Sequence, residues 1–593
     1  MGNLASRVGK FVGIISALFV ASLALTPPAT EYEISIFDGL SLLTLSLGVI
    51  LITFGVVLLT ATVVTDHSYL STGAGSVLLS YAGLYAVPHI RGYAFYGTLG
   101  YDMYLHYGRV IDIIASGSLP DTRYPATHLM ISELTLITGL APEGVSTILS
   151  YGMFIGTIYF TTLIAWTITR NQTLTICVLI AALPFTISSH RLVGQPWVLG
   201  LMFIPLLLVC VYQRDQSNIS SYKWSLITLV LLFALTIYHP LSMITGLLVV
   251  IGYVLTLAIL EARNIRLQLQ TALRSRGVMI VGVGSLTLVT WVVLSGGVDG
   301  HIQRMVIRLI ESNPGGAQHA GDATGGQFTM EQIFWYFLLP ELGTEVAVLL
   351  MSGLAFLFIV GRLFAGYGLS AFEWITVVII TIAGVYTVTH LAVEVYATGI
   401  VRNSHMVLLM APVILGIGLY YALNWGEKLP FPQREAIISI VIVVMIGVIL
   451  LGGATAYNTN SHLTVAETDG HGWLLDHKNL EMPITGDRTG DNYAWYHYGY
   501  TNAQQIRVGN YIAISEPLPH RLGYADSSSV GESIIDGYLV TRQSEQIGYA
   551  NEPEWRLKQI EYYTEGDVSR LRDDPNAEQV YTNSDYSVWI IDG

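Results

Sequence analysis

Residues able to do acid–base and anion-binding chemistry are concentrated in positions 91–133, between two apolar regions. Asp102, His106 and Arg109 follow one another at spacings of i, i+4 and i+7. If residues 101–115 form a helix, these three side chains share one face of it. A carboxylate can take a proton from a hydroxyl group, and a guanidinium can bind two oxygens of a phosphate. The spacing therefore predicts one helix face that combines a proton acceptor, an imidazole and an anion-binding cation.

The helix that carries this face is expected to be amphipathic. Its apolar residues Val110, Ile111, Ile113 and Ile114 would place it on the membrane surface. The turn sequence Gly117-Ser118-Leu119-Pro120 would end it. An amphipathic surface helix whose polar face meets only water stays open as the alternative.

More polar side chains stand at the ends of other apolar segments: Arg191 after Ser189-His190, His239 before Pro240, Glu394, and Arg402 in Arg402-Asn403-Ser404-His405. Ionisable groups from several helices at the mouth of a bundle indicate a functional site. A structural role stays open for each, since His239 can cap a turn and Arg402 can reach phospholipid headgroups.

The composition requires lipid as the solvent for much of the chain. Of 593 residues, 52% are apolar and only 12% are charged, too few polar groups to surround one water-soluble core. Because a spanning helix needs about 20 apolar residues, we predict thirteen spans. They lie near 11–27, 39–63, 69–88, 145–168, 172–188, 195–212, 223–238, 241–260, 277–295, 344–361, 372–392, 405–424 and 435–456.

The distribution of basic residues predicts the orientation of these spans. Placing Arg7 and Lys10 in the cytoplasm puts the other short basic loops there too, with Arg170, Arg214, Lys223, Arg263, Arg266, Arg274, Arg276, Arg362, Lys428 and Arg434. Thirteen crossings then leave the C-terminus outside a multi-pass plasma-membrane protein. The first segment can also be interpreted as a signal peptide, but Thr26-Pro27-Pro28-Ala29 lacks a small-x-small cleavage site, which favours a retained helix.

This topology predicts two parts, a multi-span domain over 1–456 and an acidic extracytoplasmic soluble domain over 457–593. The soluble part has 21 acidic against nine basic residues, and so holds most of the chain's net charge of −14. Such acidity resembles the surfaces of proteins from salt-loving archaea. We predict an α/β fold there, with strands at Ile484–Gly486, Gln505–Val508, Ile534–Val540 and Val588–Ile591, and turns at Gly566-Asp567 and Asp574-Pro575. Cys177 and Cys210 both fall in apolar segments, so no disulfide is expected outside.

Two long outer loops are expected, over 88–127 and 296–342. The second contains Asn313-Pro314-Gly315-Gly316 and Gly325-Gly326, without the Gly-Lys-Ser/Thr of a phosphate-binding loop. A flexible lid is the better interpretation.

Several short motifs, and the order in which they follow one another along the chain, resemble archaeal members of the GT-C superfamily. These are membrane glycosyltransferases that use polyprenyl-phosphate-linked sugars. The motifs are Tyr101-Asp102-Met103-Tyr104-Leu105-His106-Tyr107-Gly108, Tyr124-Pro125-Ala126-Thr127-His128, Tyr238-His239-Pro240-Leu241, Arg402 before a span, Gly472-Trp473-Leu474, Pro483-Ile484-Thr485-Gly486-Asp487 and Val580-Tyr581-Thr582-Asn583-Ser584. The resemblance implies a GT-C-like helical fold with a small exported domain at its end.

The resemblance also implies roles for residues. The acidic residue of the first outer loop is the family's proposed catalytic base, and Asp102 matches it. Arg402 is the first candidate to hold the donor phosphate, with Arg191, Arg304 and Arg308 as further candidates; Arg304 and Arg308, at i and i+4, can equally be a solvated face. The remaining substrate-binding candidates are His106, Arg109, Tyr124, His128 and His239.

Two features of a related enzyme, the oligosaccharyltransferase that glycosylates asparagine, are absent from the sequence. There is no Trp-Trp-Asp motif, and Asp102 and Asp112 are too far apart to form the paired acidic motif that would hold a divalent metal. We therefore expect a hexosyltransferase-type enzyme that moves a monosaccharide, with no metal or other cofactor required. The expected partners are a polyprenyl- or dolichyl-phosphate sugar, a glycan or lipid-linked acceptor and membrane lipids, with no nucleic acid.

Two other functional classes stay open as alternatives. A transporter or flippase of lipid-linked glycans should have ionisable residues at mid-membrane in broken helices, whereas here polar groups gather at the outer ends. A surface or adhesion module would need only one span as its anchor.

Overall fold

The protein is described by a computed structural model over residues 2–29, 31–35, 37–64, 69–94, 102–119, 125–186, 196–216, 221–262, 272–294, 339–393, 397–426, 433–455, 462–479, 482–486, 490–508, 518–534, 536–550, 563–583 and 585–592. Up to residue 455 the regular secondary structure in these ranges is helical. The helices are α1 Gly2–Ala24, α2 Leu42–Val64, α3 Leu70–Ile90, α4 Asp102–Ser116, α5 Pro125–Thr138, α6 Pro142–Thr169, α7 Gln172–Ala182, α8 Pro196–Leu201, α9 Phe203–Gln216, α10 Ser221–Tyr238, α11 Pro240–Ala262, α12 Ala272–Leu294, α13 Leu339–Phe364, α14 Ala371–Val393, α15 Ala397–Gly426 and α16 Gln433–Thr455.

The predicted spans all fall on helices. Seven helices of the described ranges are long and apolar enough to cross a bilayer, and four further helices carry shorter apolar segments. The expected class, a polytopic helical protein with a C-terminal α/β part, is confirmed. The count of thirteen crossings remains a prediction.

The helices pack around two buried apolar clusters. The larger is centred on α9, α11, α14 and α15, where Leu207, Val250 and Ile379 are almost fully buried. A smaller cluster joins α1 to α2 and α3 through Phe19, which is also fully buried. Many other large apolar side chains, such as Leu354, remain exposed on the helices, as expected of surfaces solvated by lipid.

Polar contacts mark the two ends of the helical part. At one end the side chain of Arg91, after α3, contacts Glu33, after α1, and the backbone N–H of Ala94 donates to the Leu463 carbonyl oxygen at 2.9 Å. The C-terminal part therefore lies at the end where α1 and α3 finish.

The opposite end has its own polar network. There the Arg362 guanidinium pairs with the Glu373 carboxylate at 2.8 Å, and the Tyr421 hydroxyl donates to the same carboxylate at 2.7 Å. These contacts link α13, α14 and α15 at the end farthest from the C-terminal part.

The C-terminal part contains a small sheet flanked by short helices. Its elements are α17 Val465–His477, β1 Ile484–Thr485, α18 Gly490–Tyr498, α19 Tyr500–Val508, β2 Gly537–Arg542, α20 Gln543–Ala550, α21 Glu565–Asp573, β3 Ala577–Thr582 and β4 Tyr586–Ile591. The strand order is β1-β2-β4-β3, with β1 parallel to β2 and the other pairs antiparallel. Trp589, Leu539 and Leu571 lie in its core.

Several local predictions in this part were wrong. Residues 505–508 end helix α19 instead of forming a strand, and the predicted strand at 534–540 begins later, at Gly537. Gly566-Asp567 is no turn but the first turn of α21, because Thr564 and Asp567 form a reciprocal capping box that starts a helix. Strand β3 was missed; its burial pattern lacks a clear alternation.

Candidate functional site

The site-bearing helix forms almost where the sequence predicts it. Helix α4 begins at Asp102 and ends at Ser116, followed by Gly117 with φ of +65°. Asp102, His106 and Arg109 therefore share one face of a real helix, with Asp102 as its first residue. The side chain of Asp102 lies outside what the structure describes.

His106 is paired with His128 of α5. The Nδ1 atom of His106 lies 2.9 Å from the Nε2 atom of His128, and the two side chains are 6% and 0% exposed. Burial, with a smaller contribution from the charge of Arg109, lowers the pKa of His128 to about 3. His128 is therefore neutral at physiological pH, and its hydrogen bond to His106 joins α4 to α5.

Arg109 contacts the C-terminal part. Its guanidinium carbon lies 4.5 Å from the ring centroid of Tyr500, at the start of α19. A guanidinium over an aromatic face is attracted by the ring's negative face. This contact holds the cation beside α4 at the seam between the helical and C-terminal parts.

Helices α18 and α19 run along α4. Tyr104 packs edge-to-face on Tyr493, and Tyr107 on Tyr496, with centroid separations of 6.1 and 6.4 Å. Farther along, a Cβ atom at Gly108 would overlap the carbonyl oxygen of Trp495, so only glycine permits this approach of helix to helix.

Asp112 closes this interface at its far end. Its Oδ2 atom accepts hydrogen bonds from the Thr501 backbone N–H at 2.9 Å and from the Thr501 hydroxyl at 2.7 Å. A carboxylate here satisfies a free N–H of the first turn of α19 and complements the positive end of its dipole. Asp112 thus caps a helix that lies almost 400 residues away in sequence.

The apolar side of α4 is covered by protein at Val110. This residue is fully buried in a cluster with Ile131 of α5 and Val145 of α6. At this position the expected membrane-facing contact is replaced by packing against neighbouring helices. Helix α4 is consequently held between α5 and α6 on one side and the C-terminal part on the other.

The remaining predicted site residues are only partly described. The Nδ1 atom of His239 accepts a hydrogen bond from the Leu241 backbone N–H at 3.1 Å, so this imidazole caps the start of α11. Arg402 lies in the helical backbone of α15, which begins at Ala397, and its side chain is outside the described part. Tyr124, Arg191, Arg304, Arg308 and Glu394 all lie outside the described residues.

Sequence reasoning missed the residues of the C-terminal part that contact α4. The sequence feature that could have indicated them is a run of aromatic residues, to which no role was given: Tyr493, Trp495, Tyr496, Tyr498 and Tyr500. Among the described residues, no group of three or more His, Cys, Asp or Glu side chains is arranged to hold a metal ion.

No family model and no curated protein matches this chain. Solved structures with a similar arrangement include an oligosaccharyltransferase from Archaeoglobus fulgidus in complex with Zn and sulfate, at 11% identity and a TM-score of 0.48, over 87% of this chain and 73% of that one. The archaeal oligosaccharyltransferase AglB of the same organism, with an inhibitory peptide and a dolichol-phosphate, has 11% identity and a TM-score of 0.49, over 88% and 75%. ArnT from Cupriavidus metallidurans bound to undecaprenyl phosphate has 12% identity and a TM-score of 0.43, over 88% and 98%.

Proposed function

We propose that this protein is a membrane glycosyltransferase that moves a sugar from a polyprenyl- or dolichyl-phosphate donor to an outer-leaflet or cell-surface glycan. The observation that carries the proposal is the setting of α4. An acidic residue begins this helix, a buried imidazole and a guanidinium follow on the same face, and the helix is packed on both sides. A carboxylate carried by a helix packed in this way, at the edge of a membrane bundle, suits a transfer between two lipid-bound or surface-bound reactants.

The proposed reaction inverts the anomeric carbon. The Asp102 carboxylate takes the proton of the acceptor hydroxyl as its oxygen forms a bond to the sugar's anomeric carbon. The bond from that carbon to the phosphate oxygen breaks, and its electron pair leaves with the lipid phosphate. General-base catalysis of this kind contributes roughly 10²–10⁴-fold to a rate.

The departing phosphate needs a cation because negative charge develops on it in the transition state. Arg402 is proposed for this role, with Arg191 and Arg304 as secondary candidates, since the planar guanidinium can bond two phosphate oxygens. Arg109 is held over the Tyr500 ring, so we assign it to the residues that line the site.

The proposal includes the orientation and the division of the chain. The end that carries α4, α5 and the C-terminal part faces the exterior, with the N-terminus in the cytoplasm. Residues 1–456 form the membrane domain, and 457–593 form the extracytoplasmic domain that closes over α4.

Deletion of the gene, followed by analysis of surface glycans and lipid-linked sugars, tests the proposed function. Loss of one sugar, with the matching polyprenyl-phosphate sugar accumulating, is the expected result. Restoration by the wild-type gene but not by Asp102→Asn would tie the loss to the proposed base. A complete glycan stalled on its lipid would identify a flippase instead and overturn the proposal.

A further inference from the structure

We infer that Asp112 is a positioning residue, which holds the Asp102 end of α4 in place by capping a helix of the C-terminal part. The inference rests on the proposed function for its catalytic consequence. Its structural basis is the hydrogen-bonded pair of Asp112 with Thr501, and it makes the C-terminal part a component of the site.

The contacts along α4 form one continuous seam. From the start of the helix to its end they involve Tyr104, Tyr107, Gly108, Arg109 and Asp112. The first four are ring packing and close backbone approach, which fix the distance between the helices. Asp112 adds two directional hydrogen bonds across the seam, both to Thr501. It therefore sets the position of α4 along its own axis.

The turn that precedes Thr501 lies directly against the Asp112 carboxylate. Gly499, which joins α18 to α19, has φ of +80°, and a Cβ atom there would overlap Oδ1 of Asp112. The backbone thus turns sharply next to the carboxylate, in a conformation that glycine adopts readily. Thr501 is brought to Asp112 by this turn.

Asp112 lies at i+10 from Asp102, on the same rigid helix. A shift of α4 along its axis is transmitted to its first residue, and a displacement of about 1 Å at a reacting group can cost about 100-fold in rate. Capping acts through the carboxylate oxygens as acceptors, and an asparagine offers one such oxygen in the same place. Asp112→Asn should therefore preserve the positioning, whereas Asp112→Ala should remove it.

The experiment measures two things on purified full-length protein in lipid nanodiscs. The first is amide hydrogen exchange over 102–116 and 499–508, which needs no activity. The second is sugar transfer from a polyprenyl-phosphate sugar, with kcat and donor KM determined separately. The variants are Asp112→Ala, Asp112→Asn and Gly499→Ala, with Glu133→Ala as the matched control, because Glu133 is an exposed acid on the neighbouring helix α5.

Asp112→Ala and Gly499→Ala should speed exchange in both segments and lower kcat on the order of 10- to 100-fold, with donor KM changed less than about twofold. Asp112→Asn should stay within about threefold of wild type because its amide oxygen still accepts from Thr501. Glu133→Ala should match wild type in both measurements.

Unchanged exchange in Asp112→Ala overturns the inference, and so does faster exchange with full kcat. Loss of transfer in Asp112→Asn with normal exchange also overturns it, since Asp112 would then act on substrate directly. If the wild-type protein transfers no sugar from any polyprenyl-phosphate donor, the proposed function fails. The exchange data still decide whether Asp112 holds α4.

Discussion

The buried imidazoles of His106 and His128 share one hydrogen bond, with Nδ1 and Nε2 2.9 Å apart. Both α4 and α5 lie outside the predicted spans, so this bond ties together two helices at the edge of the bundle. Because both rings are shielded from water, replacement of either one leaves a buried polar atom that has lost this partner.

His128→Phe should destabilise the protein by about 1–3 kcal/mol, the cost of leaving a buried polar group without its hydrogen bond. The wild type should also lose stability as pH falls. The pKa of His128 is about 3 when folded against 6.5 for an ordinary histidine, so the unfolded chain binds the extra proton. Its contribution is fully present above pH 6.5 and is lost as pH falls toward 3. Thermal unfolding in detergent across this range measures both effects; an equal pH slope in variant and wild type would contradict the assignment.

Asp102→Asn should abolish sugar transfer while leaving folding intact. The amide cannot accept the acceptor's proton, although it has nearly the same size. Transfer should be measured with purified protein, a polyprenyl-phosphate sugar and an acceptor extract. Full activity in this variant would contradict the assignment of Asp102 as the base. A normal elution profile on gel filtration would show that the loss of activity is a loss of chemistry and not of folding.

Arg402→Ala should raise the donor KM and lower kcat, because the donor phosphate loses its cation in the ground state and in the transition state. Arg402→Lys should recover only part of the activity, since a lysine cannot make the two parallel hydrogen bonds of a guanidinium. Donor titrations of both variants give the comparison. Unchanged dependence on donor concentration in Arg402→Ala would assign the phosphate to another residue.

The orientation can be read by labelling single cysteines in intact cells. Both native cysteines are buried, so the unsubstituted chain is the low-background control. Ser118→Cys, at an exposed position after α4, should react with a membrane-impermeant thiol reagent. Ala365→Cys, exposed after α13 at the opposite end, should react only after lysis. The reverse labelling pattern would place α4 in the cytoplasm and contradict the proposed mechanism.

Asp574→Ala should destabilise the C-terminal part by roughly 2–4 kcal/mol, because several buried donors lose one acceptor. Burial alone would raise the pKa of the Asp574 carboxyl. Hydrogen bonds from the Val530 and Asn576 backbone N–H groups and from the Tyr524 and Ser529 hydroxyls outweigh burial and lower it.

Since the folded pKa of Asp574 is depressed, this stability is present above its ordinary pKa of 3.8 and is lost as pH falls through the folded value. Amide exchange of residues 518–534 in the full-length variant, at neutral and acidic pH, is the measurement. Exchange as slow as in the wild type at neutral pH would show that the four hydrogen bonds contribute no net stability.

The helices were predictable from sequence because apolar length and amphipathic spacing are local properties. Helix α4 was predicted over 101–115 and lies at Asp102–Ser116. The prediction was possible because the amphipathic spacing of the helix and the glycine that ends it, Gly117, both belong to the segment itself. Helix α5 was not recognised. It is short, and it fell between a predicted loop and a predicted span.

The seam between α4 and the C-terminal part could not be predicted in the same way. Asp112 and Thr501 are 389 residues apart, and no local pattern in either segment identifies the other. The error at 505–508 has the same origin. Those residues alternate as a strand would, yet they complete a helix whose first turn is capped from α4 by Asp112. Tertiary contacts here override the local preference.

The distance in sequence between α4 and its capped partner also has a consequence for biosynthesis. A ribosome adds roughly 5–20 residues per second, so the segment with Asp102 emerges about 20 to 80 s before Thr501 follows it. During that interval the newly inserted helices exist without the completed seam. Under the proposed topology, a nascent chain would therefore occupy the bilayer before α4 is capped, and export of residues 457–593 would be the step that completes the seam.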